Sequence, residues 1–201
     1  MKAEQINNLF KEAIKLYHVS DHVDSPMPDI QSKSQFEQLL FHKNWIDTVQ
    51  WHLEDLIRDP KIAPETIVAL KRRIDASNQH RTDKVEEIDE YLYKSIEGVT
   101  LNPNARLNSE TPAWLLDRMS ILQLKIYHFQ EQLNRSEIDE NHKISVTTKL
   151  SILLIQEQDL AQSYDELIED LEAGKKYMKL YKQMKMYNDP NLNPVLYKKN
   201  D

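Results

Sequence analysis

From Pro64 to Gly98 the chain runs for about 34 residues with no interior glycine or proline, enough for a helix of about 50 Å at 1.5 Å per residue. Pro64 suits the first turn of such a helix and Gly98 suits its stop. The aliphatics Ile67, Leu70 and Ile74, then Val85, Ile88, Leu92 and Ile96, recur at the steps of a buried helical face. Between Ile74 and Val85 that face carries Asn78 and Arg81 instead. An amide and a guanidinium in mid-stripe are costly to bury without partners, so the interruption points to a polar centre inside a helical bundle.

The rest of the chain supplies helices to pack against this one. A first helix is expected over Ala3–His18, with Ile6, Leu9, Phe10, Ala13, Ile14 and Tyr17 on one side. Pro26 and Pro28 make Ser20–Ser34 a loop. A second helix runs from Gln35 to Asp59 and closes at Pro60. Ser109, Glu110, Thr111 and Pro112 start a fourth helix that ends near Asn134. A fifth spans Lys143–Glu172 and stops at Gly174, and a short basic helix, Lys175–Tyr187, precedes a tail punctuated by Pro190 and Pro194.

A displacement of 76 positions carries His52 onto His128, Gly98 onto Gly174, and Leu39-Leu40 onto Leu115-Leu116. The expected fold is therefore all-α: one domain, residues 1–201, in which two similar hairpins, 34–98 and 110–174, form an antiparallel four-helix bundle. An N-terminal helix precedes them, and a short basic helix and tail, 175–201, follow.

The same displacement places Arg81 on Glu157, which interrupts the fifth helix's stripe of Leu150, Leu153, Leu160, Tyr164, Leu167 and Leu171. A buried Arg81–Glu157 pair is expected near the pseudo-two-fold axis. It serves either to fix helix register or to hold a ligand, with Arg81 meeting an anion and Glu157 orienting it or moving a proton. Trp114, Arg118, Lys125 and His128 follow one edge of the fourth helix. Such a cationic column either snorkels beside the core or converges with Arg81 and Asn78 on a phosphate or carboxylate. His52 with Asp55 and His128 with Glu131 share an i, i+3 spacing that could ligate metal in a bundle. The Glu-x-x-His tetrad of di-iron bundles is missing from the sequence, so these residues are expected as rim hydrogen bonds and no metal site is assigned. Glu86-x-x-Asp89 resembles half of the carboxylate pattern by which all-α nucleotide pyrophosphohydrolases hold magnesium, but the partner Glu-x-x-Glu is missing from the second helix, where Glu54 and Asp55 stand instead.

Composition removes several chemistries. With 0 Cys there is no disulfide, thiolate nucleophile or Cys-ligated metal, and 2 Gly leave no glycine-rich phosphate loop. A net charge of −7 argues against a nucleic-acid partner. No run of 18 apolar residues and no leader pattern is present, so no membrane span is expected and a cytoplasmic protein is the default. The lysines of 175–185 are expected in solvent, on a lid helix at one end of the bundle.

Four stretches resemble one known family. They are Trp51-His52-Leu53-Glu54-Asp55-Leu56-Ile57-Arg58; Asn78-Gln79-His80-Arg81-Thr82-Asp83-Lys84-Val85-Glu86; Asn108-Ser109-Glu110-Thr111-Pro112 followed by Asp117-Arg118-Met119-Ser120-Ile121-Leu122; and Lys185-Met186-Tyr187-Asn188-Asp189-Pro190 with Asn193-Pro194. In that order, and across most of the chain after residue 35, they resemble the bacterial family termed domain of unknown function 4254. Its members are largely from Bacteroidetes-type bacteria and often neighbour glycosyltransferases for surface polysaccharide. The resemblance therefore implies nucleotide-sugar or sugar-phosphate chemistry without implying an activity.

The leading expectation is a site at the polar centre that binds, with or without turnover, a phosphorylated or nucleotide-linked sugar in envelope glycan synthesis. Asn78, Arg81, Arg118 and Lys125 would hold the anion, His52, Asp55 and His128 would form a second tier, and Glu157 or His128 would transfer protons. No cofactor is identified. The alternatives are a non-catalytic adaptor that binds a protein partner, and a metal-dependent nucleotide pyrophosphohydrolase using Glu54, Asp55, Glu86 and Asp89.

Overall fold

The computed structural model describes residues 1–186 and 189–198. Its elements are α1 Ala3–Ser20, α2 Gln35–Leu56, α3 Pro64–Ser95, β1 Arg106–Leu107, α4 Pro112–Leu133, α5 Glu140–Glu172, β2 Lys176–Tyr177 and α6 Pro194–Tyr197. Among the described residues the protein is all-α apart from one two-stranded parallel ladder, Arg106 opposite Lys176 and Leu107 opposite Tyr177.

Local chemistry sets the helix ends. Ser34 and Glu37 form a reciprocal capping box at α2. Asp139 accepts from the His142 N–H at the start of α5. Prolines occupy the first position of α3 and α4. At α4 the cap comes from another helix: Asp89 of α3 accepts from Thr111 Oγ1 at 2.6 Å and from the Ala113 N–H at 3.1 Å. Burial pushes the Asp89 carboxyl up to about 6 in spite of those two donors.

The hairpins α2–α3 and α4–α5 dock through α4, which lies against both α2 and α3, while α3 and α5 share no contacts among the described residues. Helix α1 lies against α2, α4 and α5, and contributes Ile6, Phe10, Ala13, Ile14 and Tyr17 to the core beside Phe41, Val85, Ile88 and Leu116. Residues 76 apart meet across the α2–α4 seam at two levels. Asn44 Nδ2 donates to Ser120 Oγ at 2.9 Å, and the His52 and His128 rings lie 5.4 Å apart. Helices α2 and α4 are thus parallel.

This seam explains why the expected Arg81–Glu157 pair does not form. Both residues sit on the outer helices and are met by other groups: Arg81 by Asp47 of α2 and Asp117 of α4, Glu157 by Gln123 of α4 and Lys11 of α1.

The basic helix expected over Lys175–Tyr187 is also corrected. Gly174 turns left-handed at φ +65°, and its backbone N–H and C=O are engaged by Leu171 and Asn102. The next residues pair as β2, and Met178 drops into the core. Residues 179–186 then cross α3 without regular structure, with Gln183 N–H on Glu86 and Lys185 Nζ on the Asn78 carbonyl. Tertiary pairing outweighs the local helical pattern here. Tyr187, the last residue of the expected helix, lies outside the described residues.

Candidate functional site

The polar centre is a compensated cluster of four charges. Lys43 and Asp47 stand one turn apart on α2, and both are about 1% exposed. Lys43 Nζ meets the Asp47 carboxylate and lies 2.5 Å from Asp117 Oδ1 on α4. Arg81 reaches in from α3, with Nε donating to Asp47 Oδ1 at 2.6 Å and a terminal nitrogen to Asp117 Oδ1 at 3.0 Å. Ser120 Oγ completes the cluster by donating to Asp47 Oδ2 at 2.5 Å.

Burial opposes the charge on Arg81, but Asp47 and Asp117 outweigh it and hold the guanidinium above its ordinary range. Burial likewise pushes the Asp117 carboxyl up, and Lys43 and Arg81 more than reverse it, leaving it below the usual carboxylate range. Two positive and two negative groups cancel, so this centre is not a bare anion hole.

Of the residues singled out as anion ligands, Arg81 joins this cluster and Asn78 braces Gln50 beside it, whereas Arg118 and Lys125 lie apart from it. Asn78 Oδ1 accepts from Gln50 Nε2 at 2.7 Å. Arg118 points outward to Glu110 at 3.3 Å and is more than half exposed, and Lys125 is exposed as well. Both line a groove between α4 and α5 that also carries Asp159 and Gln156. Glu157 takes Lys11 Nζ at 2.7 Å and Gln123 Nε2 at 2.9 Å on the α1 side of the bundle. The cationic column does not converge on the polar centre, because its spacing follows the outer edge of α4, while Asp117 and Ser120 of the same helix reach Arg81 and Asp47.

Lys43, Asp47 and Asp117 were not anticipated. The available signal was the α2 stripe, where Lys43, Asn44 and Asp47 follow Phe36 and Leu40 at helical spacing. It is the same kind of interruption that marks α3.

Beside the cluster, Asp47, Gln50, Trp51, Glu54, Asp55, Arg58, Arg81 and Ile121 line a cleft of about 330 Å³. Arg81 forms its floor with a side chain 23% exposed, and Glu54 and Arg58 pair at its lip at 2.8 Å. The guanidinium has five N–H donors, and its bonds to Asp47 and Asp117 leave others toward the cleft. Trp51 lines the cleft and also stacks on His128, with centroids 4.9 Å apart and planes 12° off parallel.

Beyond Trp51, three helices bring three imidazoles together: His18 of α1, His52 of α2 and His128 of α4. Their ring nitrogens lie within 4.8 Å of one another. His18 Nε2 and His52 Nε2 are 3.1 Å apart. His18 Nδ1 faces the Ile14 carbonyl at 2.7 Å, and His128 Nδ1 faces Glu131 Oε2 at 2.7 Å. Burial lowers the pKa of His52, and the neighbouring His18 and His128 lower it further. Sequence spacing singled out His52 and His128 as rim residues but gave no sign of His18.

The carboxylates of the pyrophosphohydrolase pattern are not assembled. Asp89 caps α4, and Glu86 faces the tail through Lys182 and Gln183. Glu54 and Asp55 lie at the cleft, on the far side of the Asp47–Arg81 level. Among the described residues, the three histidines are the group of His, Asp or Glu that could surround an ion.

No curated protein and no solved structure matches the chain. A family model described as a protein of unknown function (DUF4254) matches residues 37–180. That span covers Lys43, Asp47, His52, Arg81, Asp117 and His128, and leaves out α1 with His18. With well over half of its length matched, the chain belongs to the DUF4254 family of proteins of unknown function.

Proposed function

We propose that the cleft between α2, α3 and α4 binds a phosphorylated or nucleotide-linked sugar, in the cytoplasm and in the service of bacterial envelope glycan synthesis. One observation carries the reading: an indole, an amide, two lip carboxylates and two guanidiniums border a single cavity of about 330 Å³. Trp51 offers an apolar ring for the C–H face of a sugar. Gln50, Glu54 and Asp55 offer hydrogen bonds to hydroxyls. Arg58 and the free edge of Arg81 offer forked donors for a phosphate. The Glu54–Arg58 lip pair is exposed and of small worth, so Arg58 can exchange it for a ligand. The volume is at the low end for small-molecule sites. It suits a monosaccharide phosphate, with any nucleoside lying outside along α2. Neither Glu157 nor His128 lines the cleft, so the proposal is binding, with no reaction assigned.

A screen of thermal stability against hexose phosphates, nucleotide sugars and nucleotides tests this, since a ligand of the native state raises the melting temperature by mass action. A hexose phosphate should raise it, and Arg58→Ala should weaken binding about tenfold, or about 1.4 kcal/mol. No shift with any sugar phosphate at millimolar concentration would remove the reading.

A second reading, an adaptor for a protein partner, is favoured by α5. Ile144, Ile152 and Ile155 are 57%, 51% and 58% exposed on a helix whose N-terminal half is largely uncovered. Charged substitutions at Ile152 and Ile155 should abolish partner capture without altering the melting temperature. Capture that survives them would count against this surface.

A further inference from the structure

We propose that His18, His52 and His128 form a binding site for a first-row divalent transition metal, zinc above all. The site holds the ion through three Nε2 atoms and leaves a fourth position open beside Asp21. The inference does not depend on the sugar-binding reading, because the imidazoles lie on the other side of Trp51 from the cleft.

Proton placement comes first. A carbonyl oxygen only accepts, so the 2.7 Å contact of His18 Nδ1 with the Ile14 carbonyl puts the proton on Nδ1. The 2.7 Å contact of His128 Nδ1 with Glu131 does the same for that ring. In the neutral tautomers both Nε2 atoms then carry a lone pair, and that of His18 accepts from His52 Nε2–H at 3.1 Å; when the ion binds, the His52 proton passes to its Nδ1 and frees the third Nε2. His128 Nε2 is buried and meets no donor among the described residues, an arrangement that costs free energy unless something occupies the lone pair. A carboxylate or carbonyl behind each ligating imidazole is the usual orienting arrangement at metal sites, fixing the tautomer and raising basicity.

Distances follow. With zinc–nitrogen bonds of about 2.0–2.1 Å, tetrahedral ligands stand about 3.3 Å apart. His18 and His52 Nε2 are 3.1 Å apart, and all three ligand atoms lie within 4.8 Å of each other. Closing on one ion therefore asks for at most about 1.5 Å of side-chain movement. The three side chains are 8%, 21% and 18% exposed, buried enough to be held and open enough for entry.

The rings are already held by neighbours. Tyr17 stacks on His52 at 5.1 Å and 12°, Trp51 stacks on His128, and Tyr127 lies 4.3 Å from His18. At the open side, Asp21 Oδ1 is 4.0 Å from His18 Nε2 and 3.9 Å from His52 Nε2. From there it can take the hydrogen of a metal-bound water or move in as a fourth ligand. Imidazole ligands with one open position suit zinc, and cobalt(II) can replace it as a spectroscopic probe.

The test uses the full chain, stripped with chelator and dialysed. Cobalt(II) should bind one per chain, with the visible ligand-field band of four-coordinate nitrogen–oxygen ligation, and one equivalent of zinc should bleach it. Zinc should also raise the melting temperature. His18→Ala, His52→Ala and His128→Ala should each weaken binding at least a hundredfold, and Glu131→Gln about tenfold or more. His142→Ala, an exposed histidine outside the cluster, should change nothing. A folded wild-type chain that gives neither the cobalt band nor a zinc-dependent melting shift would overturn the proposal. So would metal binding of equal strength in the three cluster variants, which would assign it to surface histidines. The wild-type measurement decides even if a variant fails to fold.

Discussion

Replacing Lys43 by Met should be among the most destabilising changes in the chain. The side chains have similar length, so packing is nearly kept while the charge is lost. Lys43 touches both Asp47 and Asp117, and its side chain is 2% exposed. At an effective dielectric of 20, unit charges about 4 Å apart interact by about 4 kcal/mol, so two contacts amount to roughly 8 kcal/mol before desolvation. The desolvation that Lys43 no longer suffers returns part of this, while two buried carboxylates are left facing one guanidinium. Breaking a buried ion pair by removing one partner costs about 3–5 kcal/mol. For a chain of this size that lowers the melting temperature by roughly 6–20 °C. The double variant Lys43→Met/Asp117→Leu removes one charge of each sign and leaves the Arg81–Asp47 pair intact. It should return to within about 2 kcal/mol of wild type. Urea unfolding followed by helical circular dichroism gives all four corners of the cycle. The deficit of the single variant should also shrink on acidification. In that variant a carboxylate left uncompensated has a raised pKa, so the folded state takes up the proton before the unfolded chain does. Additive losses in the double variant, or a single-variant loss below about 1 kcal/mol, would refute the charge-compensation account.

Asp89 gives a pH signature of the opposite sense to a salt-bridged carboxylate. Its folded pKa of about 6 lies above its ordinary 3.8, so the folded state binds the extra proton and stability falls as pH rises from about 4 to 6, by at most about 3 kcal/mol. Asp89→Asn should flatten that interval in chemical denaturation, and an unchanged slope would show that other groups produce it. Gly174 combines φ +65° with a position where a Cβ would lie 2.3 Å from the Thr100 carbonyl oxygen, while Gly98, at φ +90°, has open space. Gly174→Ala should therefore cost more than about 2 kcal/mol, and Gly98→Ala only the left-handed penalty of about 1–2 kcal/mol. Equal losses in urea would contradict the steric difference. Ser34→Ala should cost about 1 kcal/mol by removing the α2 capping box, read as a shift in the urea midpoint at constant slope.

The helices were legible because their signals are local. Pro64, Pro112, Gly98 and Gly174 punctuate the chain near the observed ends, and the aliphatic steps Val85, Ile88 and Leu92 do lie on the buried face of α3. The region 175–187 misled because its lysines and aromatics also keep helical spacing, and nothing local reveals that Lys176 and Tyr177 will pair with Arg106 and Leu107. The polar centre was half legible. Arg81 stood out against a long apolar stripe, but a lysine at position 43 reads as solvent-facing until Asp117 arrives from another helix. Arg118 shares its edge of α4 with Lys125 and so reads as the site residue in place of its neighbour Asp117, and a single step around a helix exchanges inside for outside. His18 carries no spacing signal, because its meaning comes only from convergence with α2 and α4.

The two-residue ladder between β1 and β2 bears on the order in which the chain acquires its shape. It joins the segment leaving the first hairpin to the segment leaving the second, and hydrogen bonds from Asn102 and Asn108 to Gly174 and Tyr177 extend it. Such a closure gains few bonds against a long loop, so its entropy is recovered only after both hairpins have docked. It should close last and open first. When it opens, the segment behind it is released as well, and Lys185 leaves the carbonyl of Asn78, whose side chain braces Gln50 in the cleft wall. Amide exchange at Arg106 and Asn108 should then proceed through openings far smaller than global unfolding. Protection there equal to that of Leu40 or Leu116 would mean that the ladder belongs to the cooperative core and that the cleft wall is completed together with it.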